Sequence, residues 1–126
     1  MHRTLTLLAA AGAGLIALSG CGVSEEDKAA ELSSAWCSRY QECRAEAFSK
    51  NWDSMGQCEN KETNRWLGKL DTLGDETQLA CTIDEKALKT CTDALESMEC
   101  DDFSSKAWEE DCSSVMLCAQ GLSADW

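Results

Sequence analysis

Apolar residues fall in two patterns along this chain. From Leu5 to Leu18 they form an almost unbroken stretch, whereas from Ser24 onward they recur every three or four positions among polar and charged residues. The second pattern is that of amphipathic helices, each burying one stripe. Leu32, Trp36, Tyr40, Cys43 and Ala47 share such a stripe and predict a first helix over residues 24–50. Ser24 serves as its N-cap, and Glu25, Glu26 and Asp27 lie at its positive end. Met55, Cys58, Glu62, Trp66, Leu70 and Leu73 predict a second helix from near Asn51 to Gly74, glycine being the usual C-terminal residue. These two are expected to form an antiparallel hairpin.

Residues 75–81 read as a connecting loop. Asp84 caps a third helix whose inward face is Ala87, Leu88, Cys91, Leu95 and Met98, with Ile83 stapled onto Leu88. A shorter fourth helix is expected within residues 104–119, presenting Trp108, Cys112, Met116 and Ala119. Residues 120–126 carry no readable pattern. Proline is absent and Val, Ile and Tyr are scarce, which favours helices over strands. The expected fold is all-α, a small bundle of about four helices stapled by up to four disulfides.

The first pattern is a different object. A basic start, His2-Arg3, precedes the apolar stretch, which ends in Leu18-Ser19-Gly20-Cys21. This is the layout of a secretory signal. The stretch is shorter than the roughly 20 residues a membrane-spanning helix needs, so a permanent transmembrane anchor is the poorer reading. Leu18-Ser19-Gly20-Cys21 resembles the lipobox of bacterial lipoproteins. The resemblance implies cleavage between Gly20 and Cys21, a diacylglyceryl group on the Cys21 sulfur and acylation of the new amino group, a multi-chain anchor to the membrane. The alternative is ordinary cleavage near Ser19, releasing a soluble protein. Gly22 rather than Asp after the cysteine, by resemblance to the sorting rule of enteric bacteria, favours the outer over the inner membrane. The chain thus divides into a leader (1–20), a lipidated cysteine with a short tether (21–27) and a cysteine-rich helical domain (28–126). Residues 22–27 reach only about 20 Å when extended at roughly 3.3 Å each, so the domain sits close to its membrane.

Composition narrows the partners. With 44% hydrophobic and 27% charged residues the chain suits one globular domain. Only Arg3 of the 11 basic residues precedes Cys21, so the mature chain keeps 10 against 23 acidic residues, a net charge of −13. Nucleic acid and anionic lipid headgroups are poor partners for it, whereas a basic protein would be attracted.

Nine cysteines would leave one thiol stranded in an oxidising compartment, and assigning Cys21 to lipid leaves eight that can pair completely. These are Cys37, Cys43, Cys58, Cys81, Cys91, Cys100, Cys112 and Cys118. Eight cysteines allow 105 pairings. Cys43 and Cys58 lie equally far from the predicted hairpin turn and are expected to face each other. Cys100 and Cys112 flank the last interhelical connection and form a second expected pair. No two cysteines stand two to four residues apart, as zinc knuckles and redox motifs require, so structural bridges are expected and no metal or cofactor. Ile83-Asp84-Glu85-Lys86-Ala87-Leu88-Lys89-Thr90-Cys91, followed by Ala94-Leu95 and Cys100, resembles small cysteine-rich lipoproteins of Gram-negative envelopes, a group without assigned activity. The resemblance implies a helical, disulfide-bound fold and no mechanism.

Candidate catalytic chemistry is thin. The sole histidine, His2, lies in the leader, which removes Ser-His-Asp and Cys-His catalysis from the mature chain. Glycine-rich phosphate loops and EF-hand loops are absent from the sequence. Glu96, Glu99, Asp101, Asp102, Glu109, Glu110 and Asp111 are abundant carboxylates, but a glycosidase needs two at a set separation across a cleft, and a solvated face is expected instead. Trp36, Trp66 and Trp108 fall on inward stripes. Trp52 and Trp126 do not, and are candidate contacts for a partner or a sugar. The expected function is a non-enzymatic, membrane-anchored binding or structural domain. The alternatives are an inhibitor or immunity-like protein against a cationic enzyme and, third, a carboxylate-dependent glycan hydrolase.

Overall fold

The computed structural model describes residues 23–121; the leader, Cys21 and Trp126 lie outside the described residues. The order of elements is α1 (Glu25–Cys43), α2 (Ala45–Asn51), α3 (Met55–Thr77), β1 (Cys81–Ile83), α4 (Glu85–Ser97), α5 (Cys100–Ser104), α6 (Trp108–Asp111) and β2 (Met116–Cys118), closed by a 3₁₀ turn at Ala119–Gly121. The fold is a small all-α one. Helix α1 packs along α3 on one side and α4 on the other, and the short elements close the ends.

Local chemistry sets the helix starts, the caps at Ser24 and Asp84 being those expected. The hydroxyls of Ser24, at α1, and Ser54, at α3, each accept a hydrogen bond at 3.1 Å from the backbone N–H three residues on, and the Asp84 carboxylate does the same for Ala87 N–H at 2.9 Å. The ends depart from expectation. The first helix does not run to Lys50 but stops at Cys43. Arg44 leaves helical geometry and α2 restarts in a new phase, so that Phe48 is buried and Ala47 only half-buried. The second begins at Met55 rather than near Asn51 and continues past Gly74. Its left-handed cap is Gln78, with φ of 58°, whose side chain donates to the Asp75 carbonyl at 2.5 Å. Much of the expected 75–81 loop is therefore helix and strand.

Of the helix expected within residues 104–119 only the single turn α6 forms; Lys106, at φ of 64°, interrupts the path before it, and Ser113-Ser114 turn the chain toward β2, so that Met116 lies on a strand. β2 pairs antiparallel with β1 in the register Cys81 with Cys118, Thr82 with Leu117 and Ile83 with Met116.

All eight cysteines of the described residues are bridged, as Cys37–Cys58, Cys43–Cys100, Cys81–Cys118 and Cys91–Cys112. Both expected pairs are corrected. Cys43 does not meet Cys58 because the hairpin connection is residues 44–54, not a tight turn, so the first turn of α3 lies beside Cys37 and Cys43 reaches the start of α5. Cys112 does not meet Cys100 because α6 folds back onto α4, where Cys91 waits. Each bridge closes a loop of 21 to 57 residues, which on the chain-entropy model is worth roughly 3 to 4 kcal/mol.

The core joins Cys37, Cys58, Cys91 and Cys112 to Leu32, Trp66, Ile83, Leu88, Leu95, Val115 and Met116. Ile83 and Leu88, the expected staple pair, are both buried in it. Two charged residues of α1 tie the layers. Lys28, buried, donates from Nζ to the Ile83 carbonyl at 3.0 Å and to Glu25 at 3.2 Å. Arg39 donates to the Leu95 carbonyl at 2.7 Å and to that of Glu96, supplying a cation to the end of α4, whose last turn has none of its own.

Candidate functional site

Leu67, Leu70, Asp71, Gly74 and Asp75 stand three, four, seven and eight residues apart along α3 and so share one face. The chain leaving α3 turns at Gln78 and brings Leu79 and Cys81 opposite that face, while Glu25 closes one end. Together they line an open groove of about 590 Å³. Gly74 is one of the lining residues, and the missing side chain leaves room there. A Cβ there would meet the Leu79 carbonyl oxygen at 3.6 Å, an ordinary contact, so the glycine leaves space without relieving strain.

Its lining is about equally polar and apolar, leucines alternating with carboxylates. Leu70 is buried, Leu67 and Leu79 are half-buried, and Asp71 and Asp75 are exposed and make no ion pair among the described residues. Glu25 differs from them. Burial pushes its carboxyl pKa up, but hydrogen bonds from Thr82 and Ile83 N–H, together with Lys28, outweigh burial and hold it below the ordinary carboxylate value. Its charge is spent inside the fold, so the two aspartates set the groove's potential.

On α3 also lies a group that combines burial with charge. Glu62, on the inward stripe as expected, is 6% exposed. Arg65 Nε approaches its Oε2 to 3.2 Å, near enough for attraction, yet the contact is not a hydrogen bond and Oε2 has no such partner among the described residues. Burial, opposed by Arg65 and Lys69, leaves its pKa raised. The same two cations stand over the Trp66 ring, at 4.6 and 5.5 Å from its centroid.

The residues singled out in the sequence fall elsewhere. Trp52 is half-buried in an aromatic cluster, edge-on to Trp36 at 6.1 Å and to Tyr40 at 5.2 Å, with Phe48 at 5.3 Å. Its first task is packing, and part of its surface stays accessible. Glu96, Glu99, Asp101, Asp102, Glu110 and Asp111 are exposed and Glu109 half-buried, and none of the seven lines the groove. Among the described residues no cluster of three or more His, Cys, Asp or Glu side chains could hold a metal ion, and the eight cysteines among them are all bridged, so none of these offers a thiolate. What the groove can do is hold an apolar side chain flanked by positive charge. The sequence carries a sign of it, two aspartates four apart with a glycine between them, but in sequence Gly74 alone reads as a helix ending.

Four bridges in so short a chain are those of a protein that resides in an oxidising, extracytosolic environment. Among the described residues no helix is long and apolar enough to cross a membrane. The fold and its cross-links thus define a small all-α domain built for the extracytosolic milieu. No protein-family model, curated protein or solved structure matches the chain.

Proposed function

We propose that this protein is a lipoprotein of the bacterial envelope, anchored through Cys21, whose rigid helical domain binds another protein and carries out no catalysis. The observation that carries the reading is the use of the cysteines. Eight of nine are consumed in bridges, and the ninth is the one that ends Leu18-Ser19-Gly20-Cys21. A cysteine kept out of the bridges of an exported domain, at the end of an apolar leader, is suited to carry lipid. The residues between Cys21 and α1 are few, so the domain would stand close to the membrane surface, the outer membrane being favoured by Gly22.

Fractionation of cells tests the anchor. Wild-type chain is expected in the membrane fraction and resistant to extraction by salt, and Cys21→Ala is expected to lose that association or to keep its leader uncut. A wild-type chain released by salt or found soluble outside the cell contradicts the anchor. Inhibition of a cationic enzyme is the second reading, favoured by the −13 charge of the mature chain and by the two unpaired aspartates of the groove. Titration against basic muramidases at low ionic strength separates it from simple partner binding.

A further inference from the structure

We infer that the groove between α3 and β1 is the docking site for a cationic segment of a partner protein, which seats an apolar side chain among Leu67, Leu70 and Leu79 and sets lysine or arginine against Asp71 and Asp75. This deepens the binding-domain reading and rests on it for the existence of a partner. Three features of α3 run against its own stability and toward that occupant. First, Gly74 stands inside a helix, where glycine is the least favourable residue after proline, and neither its conformation nor a close neighbour demands it. It lines the groove, where any side chain would take up space. Second, Asp71 and Asp75 are like charges four residues apart, a spacing that destabilises a helix. Third, Asp75 and Glu76 occupy the last turn, the negative end of the helix, and no basic residue lies there to offset them. A bound cation would relieve the second and third together. Departures from local preference that converge on one concave surface mark a site selected for something other than folding.

Size and charge choose the occupant. From Leu67 to Asp75 the helix rises about 12 Å at 1.5 Å per residue, room for one helical turn or a few extended residues of a partner. Anionic lipid and nucleic acid would meet the same two carboxylates and be repelled. A second copy docked face to face would set these aspartates against their own equivalents.

The probe is a fluorescein-labelled peptide of lysine and leucine, Lys-Leu-Lys-Lys-Leu-Lys, titrated by anisotropy against the full mature chain in detergent, with Lys-Ser-Lys-Lys-Ser-Lys as its comparison. Gly74→Leu fills the groove and keeps its charge; Asp71→Asn with Asp75→Asn keeps the groove and removes the charge. Each is expected to weaken the leucine peptide by about tenfold, while Asp101→Asn with Asp102→Asn, an equal loss of charge elsewhere, changes it by less than about twofold. Circular dichroism of each variant establishes that it folds, and the aspartate pair tests the proposal even if Gly74→Leu does not. Equal affinities across all three variants, equal binding of the serine peptide, or no binding at all overturns the proposal. Fractionation of the same cells keeps the two readings apart. A membrane-bound chain whose peptide binding ignores the variants sinks the groove alone, and a salt-released chain whose binding responds to them sinks the anchor alone.

Discussion

At the scale of single residues the most consequential group is Glu62. Its carboxyl is buried, its Oε2 lacks a hydrogen bond, and the attraction of Arg65 does not offset its desolvation, so the folded chain holds its proton more tightly than the unfolded chain does. Between the ordinary carboxylate pKa and the raised one the fold therefore binds more protons, and stability falls as pH rises through that interval. Glu62→Gln removes the ionisation and keeps the shape. Its thermal midpoint at neutral pH is expected above that of wild type, with the difference closing at about pH 3, where the wild-type carboxyl is protonated in both states. Scanning calorimetry at the two pH values checks this, and a variant less stable at neutral pH would mean that Arg65 dominates. Glu25 works in the opposite sense. Its lowered pKa contributes stability above the ordinary carboxylate value that is lost as pH falls through the folded one.

At the scale of elements the bridges are unequal. Cys37–Cys58 and Cys91–Cys112 are buried and Cys81–Cys118 is half-covered, whereas Cys100 is exposed and Cys43 half-exposed, beside Arg44. Thiol–disulfide exchange needs access for the attacking thiolate and is helped by a nearby cation. Graded reduction followed by alkylation and peptide mapping is expected to label Cys43 and Cys100 first. Opening that bridge releases a 57-residue loop and lowers stability by about 4 kcal/mol on the chain-entropy model. Prior labelling of any other pair contradicts the burial order. It also follows that α5, which places Phe103 against Trp36 and Tyr40 at 6.1 Å, would be the first element to loosen.

How the elements were legible in the sequence depends on whether their cause was local. Caps at Ser24 and Asp84 are short-range hydrogen bonds between fixed neighbours, and the stripes Leu32-Trp36-Tyr40 and Cys58-Glu62-Trp66-Leu70 follow from helical period, so both could be read. The break at Arg44 could not. No glycine or proline marks it, and it accompanies a bridge to the distant Cys100 and an aromatic cluster that draws Phe48 inward. Gly74 misled for the converse reason, since a residue able to end a helix sits in one that Gln78 ends. The ribbon of β1 with β2 joins residues far apart in sequence through strands of three residues, too short for alternation to register. The groove was hidden with it, because Leu79 and Cys81 oppose α3 only once the chain has turned at Gln78.

At the scale of the whole molecule the account is one of division of labour among cysteines in an acidic, exported chain. Eight hold a modest core together by four cross-links, a common solution where apolar burial alone is insufficient. The ninth, Cys21, is the one we propose carries the lipid. A domain so constrained presents its surface with little entropy left to lose on binding, which suits recognition by a fixed groove. The most direct test is mass spectrometry of the protein extracted from membranes and digested without reduction. Expected are an N-terminal peptide beginning at Cys21 with a diacylglyceryl thioether, and four cross-linked peptides joining Cys37 to Cys58, Cys43 to Cys100, Cys81 to Cys118 and Cys91 to Cys112. An intact leader, an unmodified Cys21, or alkylatable thiols among the other eight would contradict it.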